Sequence, residues 1–500
     1  MISPITPRKM NVGLLLFGVL MIFTTVMGLI MLKPARAFRA EAADRKNFER
    51  ARLSDSISVH AAGRGNPYIN LSDGRDVITA YEGPRELIEA LEQNRAKPLS
   101  LASADFDEDG VPDLVSGYAG PDGGIITLHR GNVDSIYPNS PEAKQRKAEG
   151  TIIDAPFLSP ALLYGVPVPP DFMLAGDFDG DSHCDLVIAA ARDSNLYLIS
   201  GNGRGTFSGT KTIELAGEIT ALAVGDINRR DGLEDLVVGV TRAGAAKVLI
   251  FEGPEGALRA KPEDFVLPSE ATSLAVGQLD DGYEIDLAVG TGTDLIIISG
   301  RDRKLSLDNI RKTQVSAARV GRIGLGFSVT SLALGYFGDN TSKSLALLGS
   351  DGRIHFLTRG EKLHDEPWQM SNAIPAGGVP GAARLVCMKS SSLRGDSLLV
   401  LDSNSSQALI LHRPEEESHY STDRHGENLT YGQLVASLDA GSELAAVLPL
   451  DINRDSLKDL VVLRKASYSP SLMLTQAAVT FVVNSAADTD DGLCDAGNCT

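Results

Sequence analysis

The chain is poor in what many folds depend on. Four cysteines in 500 residues cannot staple a small secreted scaffold. There is a single tryptophan, and no long helical periodicity recurs past the N-terminus. Positive charge is in the minority: 47 Lys and Arg face 65 Asp and Glu, for a net charge of −18. That balance disfavours nucleic acid as a partner, since phosphate binding needs clustered basic residues, and favours cations. Gly-x-Ser-x-Gly, the Walker loop and the strand-glycine-helix nucleotide fingerprint are all missing. What is present is ordinary for a globular protein: 43% apolar and 22% charged residues, which excludes global disorder. Length alone suggests about three domains, and a chain of this size loses roughly three quarters of its unfolded surface on folding. Fifty glycines point to many tight turns between buried sheets.

Residues 1–37 form an export segment. Arg8 and Lys9 precede an uncharged run of 21 residues, Val12 to Leu32, long enough to cross a bilayer core of about 30 Å. Pro34-Ala35-Arg36-Ala37 offers small residues for cleavage after Ala37. A removed signal peptide and a retained membrane anchor both remain open, and either takes the rest of the chain out of the cytoplasm. Residues 38–97 read as a linker and N-terminal extension, with a short helix at Pro84–Leu91 opened by proline.

A pattern then recurs seven times. The clearest copies are Asp105-Phe-Asp107-Glu-Asp109-Gly-Val-Pro-Asp113, Asp177-Phe-Asp179-Gly-Asp181-Ser-His-Cys-Asp185 and Asp451-Ile-Asn453-Arg-Asp455-Ser-Leu-Lys-Asp459. Weaker copies open at Asp226, Gln278, Tyr336 and Lys389, giving a mean spacing of about 58 residues. In each unit a short apolar segment enters the loop, a second of the type Asp-Leu-Val-Val leaves it, and a third follows a turn. Asn195–Ser200, Lys247–Phe251 and Asp294–Ile298 are examples of the third. These runs, rich in Val, Ile and Leu and bounded by Gly, Asp and Asn, read as strands. Three or four antiparallel strands repeated seven times are the sequence form of an all-β, seven-bladed β-propeller. Asp76-Val-Ile-Thr is expected to help complete the ring, as is Tyr68-Ile-Asn-Leu, and the stretch from about Gly131 to Asp171 reads as an inserted surface loop.

The Asp loops carry the chemistry. Oxygen ligands at loop positions 1, 3, 5 and 9, with a backbone carbonyl at 7, converge in a tight hairpin. A hard cation that accepts six to eight oxygens in irregular geometry, Ca²⁺, suits them better than Mg²⁺ or Zn²⁺. Position 12 is Ser116, Ile188 or Val462, so the bidentate Glu of an EF-hand is missing and strands replace its helices.

These residues resemble the FG-GAP/VCBS repeat family of calcium-loop propellers, over roughly residues 98–478. Gly201-Asn-Gly203-Arg-Gly205-Thr-Phe207 is similar to that family's post-strand turn. The resemblance implies cages between the first two strands of a blade, with three ligand sets. They are Asp105, Asp107, Asp109 and Asp113; Asp177, Asp179, Asp181 and Asp185; and Asp451, Asn453, Asp455 and Asp459. The third loop has one inserted residue and leaves Asp226, Asn228, Asp231 and Asp235 as a weaker set. The fourth has Gln278 and Gly282 where ligands belong, and the fifth and sixth have lost the set. Residues 479–500 resemble the start of a CSLREA-type segment. That resemblance implies a Cys494–Cys499 pair and a chain that continues past Thr500.

Arg394-Gly-Asp396 spells the adhesion tripeptide by coincidence, in a degenerate loop. His412, His419 and His425 stand in an acidic stretch whose spacing matches no metal site. Cys184 and Cys387 belong to different repeats and read as core. The expected function is a non-catalytic, exported, calcium-binding module at the cell surface or outside the cell, recognising an extracellular protein or glycan. Any membrane contact would be through the N-terminal segment alone. The alternative is a propeller enzyme or polysaccharide-processing protein working at the central channel.

Overall fold

The computed structural model describes residues 57–61, 75–77, 79–280, 282–305, 315–337, 343–359, 368–371, 373–376, 383–390, 395–402, 404–412, 433–439, 442–453, 457–465, 467–475 and 479–483. Ile57–Ala61 and Val479–Val483 make a separate two-stranded sheet. The remaining strands form seven sheets of four or five strands each, and the chain is a seven-bladed β-propeller.

The blades open with innermost strands Lys97–Ala104, Phe172–Gly176, Glu218–Gly225, Ala271–Gly277, Val329–Gly335, Ala383–Met388 and Leu444–Leu450. Each pairs antiparallel with the strand that leaves its Asp loop: Ala104 with Asp113, Gly176 with Asp185, Gly225 with Asp235, Gly277 with Asp286, Gly335 with Ser344, Met388 with Ser397 and Leu450 with Asp459. The second strands, such as Asp235–Arg242, are buried on both faces, which is why they read as unbroken apolar runs.

Hydrophobic cores lie between blades, not within them. One cluster joins Phe106, Val115 and Ile126 of the first blade to Leu186 and Ile188 of the second. Equivalent clusters join the second to the third, and so on to the sixth and seventh. The circle is completed by Leu114 and Phe157 against Val461 and Leu472. A blade on its own would expose both faces, so the repeats stand or fall through their neighbours.

Closure is a clasp between distant parts of the chain. Arg75–Asp76 supplies the outer strand of the seventh blade, pairing with Ser471–Met473. Asp76 accepts from Ser471 Oγ at 2.5 Å and faces Arg464 at 3.1 Å. Asp76 thus does complete the ring; Tyr68–Leu71 lie outside the described residues. The helix Arg85–Glu92 buries Ala90 and Leu91 against Tyr118, Ile125, Leu163 and Leu463.

The stretch after Gly131 departs from the expected surface loop. It contains helices Val133–Ile136 and Pro141–Glu149, then the first blade's fourth strand, Ala161–Val166. Ser140 caps the second helix on Ala143 N, and Gly150 ends it in the left-handed conformation at φ 71°. An Arg146–Asp134 pair ties the two helices together. The central channel has a volume of about 590 Å³ and is lined from all seven inner strands, by residues such as Leu101, Met173, Ser273, Thr330 and Val447.

Candidate metal centres

The loops between first and second strands gather on one face, because successive loops touch. Glu108 of the first meets His183 of the second at 2.5 Å, Arg230 of the third meets Gln278 of the fourth at 3.1 Å, and Asp396 of the sixth accepts from Tyr336 N of the fifth at 2.9 Å.

In the first loop the position-1 carboxylate holds the turn. Asp105 accepts from Asp109 N (3.0 Å) and Gly110 N (2.8 Å). Asp177 does the same for Gly180 N (2.7 Å), Asp181 N (3.2 Å) and Ser182 N (2.9 Å). Position 5 forms a local Asx turn: Asp109 accepts from Val111 N, and Asp181 from His183 N, both at 2.9 Å. Positive φ at Gly110 (85°) and Gly180 (70°) folds the chain back.

Position 9 is a clasp. Asp113 is fully buried and accepts from Phe106 N (2.8 Å) and Gly131 N (2.6 Å), joining the loop to the end of the third strand. Asp185 repeats this with Phe178 N (3.2 Å) and Gly201 N (3.0 Å), Asp286 with Leu279 N and Gly300 N (both 2.8 Å), and Asp459 with Ile452 N (3.0 Å) and Thr475 N (2.7 Å). Asp235 takes Ile227 N at 2.9 Å. The clasp therefore exists in intact and degenerate loops alike.

Three carboxylates converge in each of the first two loops. Oxygens of Asp105, Asp107 and Asp113 lie within 4.8 Å of one another, as do those of Asp177, Asp179 and Asp185. At the same place in both, Oδ1 of the position-3 residue, Asp107 or Asp179, is buried without a hydrogen-bond partner. Arg259 approaches Asp179 Oδ1 only to 3.7 Å. Burial and the neighbouring carboxylates push Asp113 up to about 7 and Asp185 to about 6, and burial raises Asp107. Carboxylates crowded in this way favour a proton or a cation between them. An all-oxygen set with an orphaned buried acceptor fits a hard divalent cation. These clusters can hold a metal ion. Asp109, raised to about 6, and Asp181 serve the turn and stand outside the three-oxygen groups.

The other loops fill the same space differently. In the third, Asp226 caps Asp231 N (3.2 Å) and Gly232 N (2.9 Å), but Asn228 turns into the seam. Its amide donates to Glu252 at 2.6 Å and its Oδ1 accepts from Arg301 N at 3.2 Å. In the fourth, Gln278 Nε2 donates to Gly282 O at 2.6 Å. In the sixth, Lys389 Nζ donates to Gly395 O, the position-7 carbonyl, at 2.7 Å. Ser397 takes position 9 there and meets Ser390 at 2.5 Å. In the seventh, Asn453 Nδ2 donates to Thr475 O at 3.3 Å, and Asp455 lies outside the described residues.

Position 2 is a wedge that the sequence pattern did not single out. Phe106, Phe178, Ile227, Leu279, Phe337 and Ile452 are all buried. Phe106 meets the ring of Phe207 edge-on at 5.1 Å, while its carbonyl accepts from Gly205 N at 2.9 Å; Phe178 O accepts from Leu258 N at 2.9 Å. The first two Asp loops are thus pinned to the outer turn of the next blade. A hydrophobic residue between two acids was the available signal.

Residues 177–238, from the second Asp loop into the third blade, match the model of the FG-GAP-like repeat family. The chain is a seven-bladed propeller that carries an FG-GAP-like repeat. Solved structures similar to this chain include BBS1N in complex with ARL6DN, soaked with lead, at 14% identity and a TM-score of 0.47, covering 82% of this chain and 99% of that one. The mercury-soaked form of the same complex gives 15% identity and a TM-score of 0.47, covering 83% and 98%. Curated proteins give no match.

Asp396 of the Arg-Gly-Asp tripeptide both donates to and accepts from the Tyr336 backbone, a structural bridge between the fifth and sixth blades. Cys184 and Cys387 are free and half-buried. Arg394, His419, His425, Cys494 and Cys499, with the side chain of His412, lie outside the described residues. So does the apolar run Val12–Leu32; among the described residues no helix is long and apolar enough to cross a membrane.

Proposed function

We propose that the protein is an exported, calcium-stabilised recognition module that binds an extracellular protein or glycan without transforming it. The observation that carries this is the pair of Asp clusters, each with one orphaned buried oxygen at position 3. Asp105, Asp107 and Asp113 would hold one ion, and Asp177, Asp179 and Asp185 a second, with the seventh loop as a third site. The ion would neutralise carboxylates that otherwise repel, and so set the loops whose position-2 wedges pin one blade to the next. Its contribution is to the rigidity of the face. Repeat propellers of this kind offer a broad, rigid surface suited to ligand binding.

The channel supports a non-catalytic role. Its lining is aliphatic and hydroxyl-bearing, with Asp171 and Arg384 as its charged members, and Asp171 accepts from Ala191 N at 2.9 Å. A hydrolytic site would need convergent acid and base groups. The test is to present the folded protein, in calcium, to a panel of matrix proteins and glycans and to examine what is retained by mass spectrometry. A bound ligand recovered unchanged supports recognition; a cleaved or modified product overturns it and establishes the channel enzyme. N-terminal sequencing of exported material should begin at Phe38, whereas Met1 in a membrane fraction would establish the anchor.

A further inference from the structure

A cleft of about 370 Å³ opens at the outer rim between the fourth and fifth blades, a size within the usual range of small-molecule sites, about 300–1,000 Å³. In a chain of net charge −18, three arginines line it: Arg319, Arg322 and Arg359, with Asp280 as the one carboxylate among the described residues of the wall. The chain's single tryptophan, Trp368, forms part of the same wall beside Ile297. The Arg359 guanidinium lies over the indole ring at 4.8 Å from its centroid, a stacking that orients the planar fork.

The other two arginines are held by acids yet keep donors to spare. Arg322 uses Nε and Nη2 on the two oxygens of Asp294, both at 2.8 Å. Arg319 uses Nη2 on Asp280 at 3.3 Å. A guanidinium has five N–H groups, so each retains several, and both side chains are mostly exposed, at 63% and 68%. The acids aim the two arginines, whose remaining N–H groups stand beside an aromatic and aliphatic wall.

We propose that this cleft binds a carboxylate-bearing sugar, a uronate unit of an acidic glycan. The carboxylate would pair with guanidinium forks in the geometry that suits them, and the C–H face of the ring would lie along Ile297 beside the indole that Arg359 covers. An acidic peptide is the weaker fit. Its flexible carboxylate can answer an arginine, but it brings no rigid body to the apolar wall and loses more freedom on binding. This names a ligand class for the recognition module proposed above and rests on that reading. Failure here would leave recognition elsewhere on the propeller untouched.

Trp368 supplies its own readout. The calcium-loaded full chain is titrated with a galacturonate trisaccharide, a galactose trisaccharide and hexaglutamate, following tryptophan emission and heat. The uronate should change the emission saturably, the neutral sugar should not, and hexaglutamate should bind at least tenfold more weakly. Arg319→Gln and Arg322→Gln should each weaken uronate binding by roughly tenfold, as expected for one lost charge-assisted bond, without lowering the melting temperature by more than a few degrees. Trp368→Phe should abolish the emission change while calorimetry still detects weakened binding. Absent saturable binding, hexaglutamate binding as tight as the uronate, or an Arg319→Gln/Arg322→Gln double variant that binds normally would each overturn the proposal.

Discussion

The first and second Asp loops and the fourth and sixth solve one problem in two ways. All must close a hairpin whose inner surface is lined with oxygens. In the first two, position 1 is Asp105 or Asp177, and the closed turn still leaves Oδ1 of Asp107 or Asp179 buried without a partner. In the fourth and sixth, position 1 carries its own N–H donor, from Gln278 to Gly282 O and from Lys389 to Gly395 O. A tethered amide or ammonium supplies a donor inside these two loops that Asp105 and Asp177 cannot. The position-9 clasp is common to the first, second and fourth loops and does not distinguish them. Position 3 separates them: its oxygen is left over at Asp107 and Asp179, whereas Asp280 accepts from Gly282 N at 2.8 Å and from Arg319 at 3.3 Å.

The largest effect should come from the shared clasp. Asp286→Ala strips the acceptor from Leu279 N, Asp280 N and Gly300 N, and buried N–H groups left unpaired cost about 1–3 kcal/mol each. A loss of about 3 kcal/mol is expected in urea melts, equal in calcium and in chelator. A calcium-dependent loss would break the separation between clasp and cage.

Acid comes next. His129 is fully buried, its ring nitrogens have no hydrogen-bond partner, and Tyr81 and Phe157 meet it edge-on at 6.3 Å. Burial holds it down at about 4. Because the folded value is below the unfolded one, this stability is complete above about pH 6.5 and is lost as pH falls toward 4. The loss amounts to about 3 kcal/mol. His129→Leu should flatten that limb of the pH-stability curve with or without calcium. An unchanged limb would place the acid sensitivity in the loops.

The smallest of these effects is Lys389→Met. Losing one charge-assisted bond to Gly395 O should cost about 1–2 kcal/mol, again independent of calcium. If calcium rescued the variant, the sixth loop would be a masked cage.

Much of the ring was legible in the sequence because each blade repeats the same grammar of apolar runs around a loop. Burial on both faces made Asp235–Arg242 and its equivalents conspicuous. The closing strand was half legible: Asp76 was expected at the join, but its partners Arg464 and Ser471 lie almost 400 residues away in the chain. At the loops, residue types singled out acids of which Asp105, Asp107 and Asp113 converge, as do Asp177, Asp179 and Asp185. They did not reveal that Asp113 and Asp185 also bind the backbone, or that Asn228 turns away into a seam with Glu252 and Arg301. Those roles depend on where the next strand and the next blade arrive. The arginine cleft was invisible for the same reason, since Arg319 and Trp368 belong to different repeats.

The most direct test is thermal melting with millimolar calcium and with chelator, on the parent chain and three variants. With a dissociation constant of about 10⁻⁴ M, as extracellular sites of this type have, linkage gives roughly 1.4 kcal/mol per site. Two sites should therefore contribute about 3 kcal/mol, and a third in the seventh loop would bring this to about 4. Asp107→Ala and Asp179→Ala should each lose one site's share of the calcium-dependent shift, and Gln278→Ala should lose none of it. If chelation leaves the melting temperature of the parent unchanged, the acids of the first two loops are turn formers only, and the contrast with the fourth and sixth disappears.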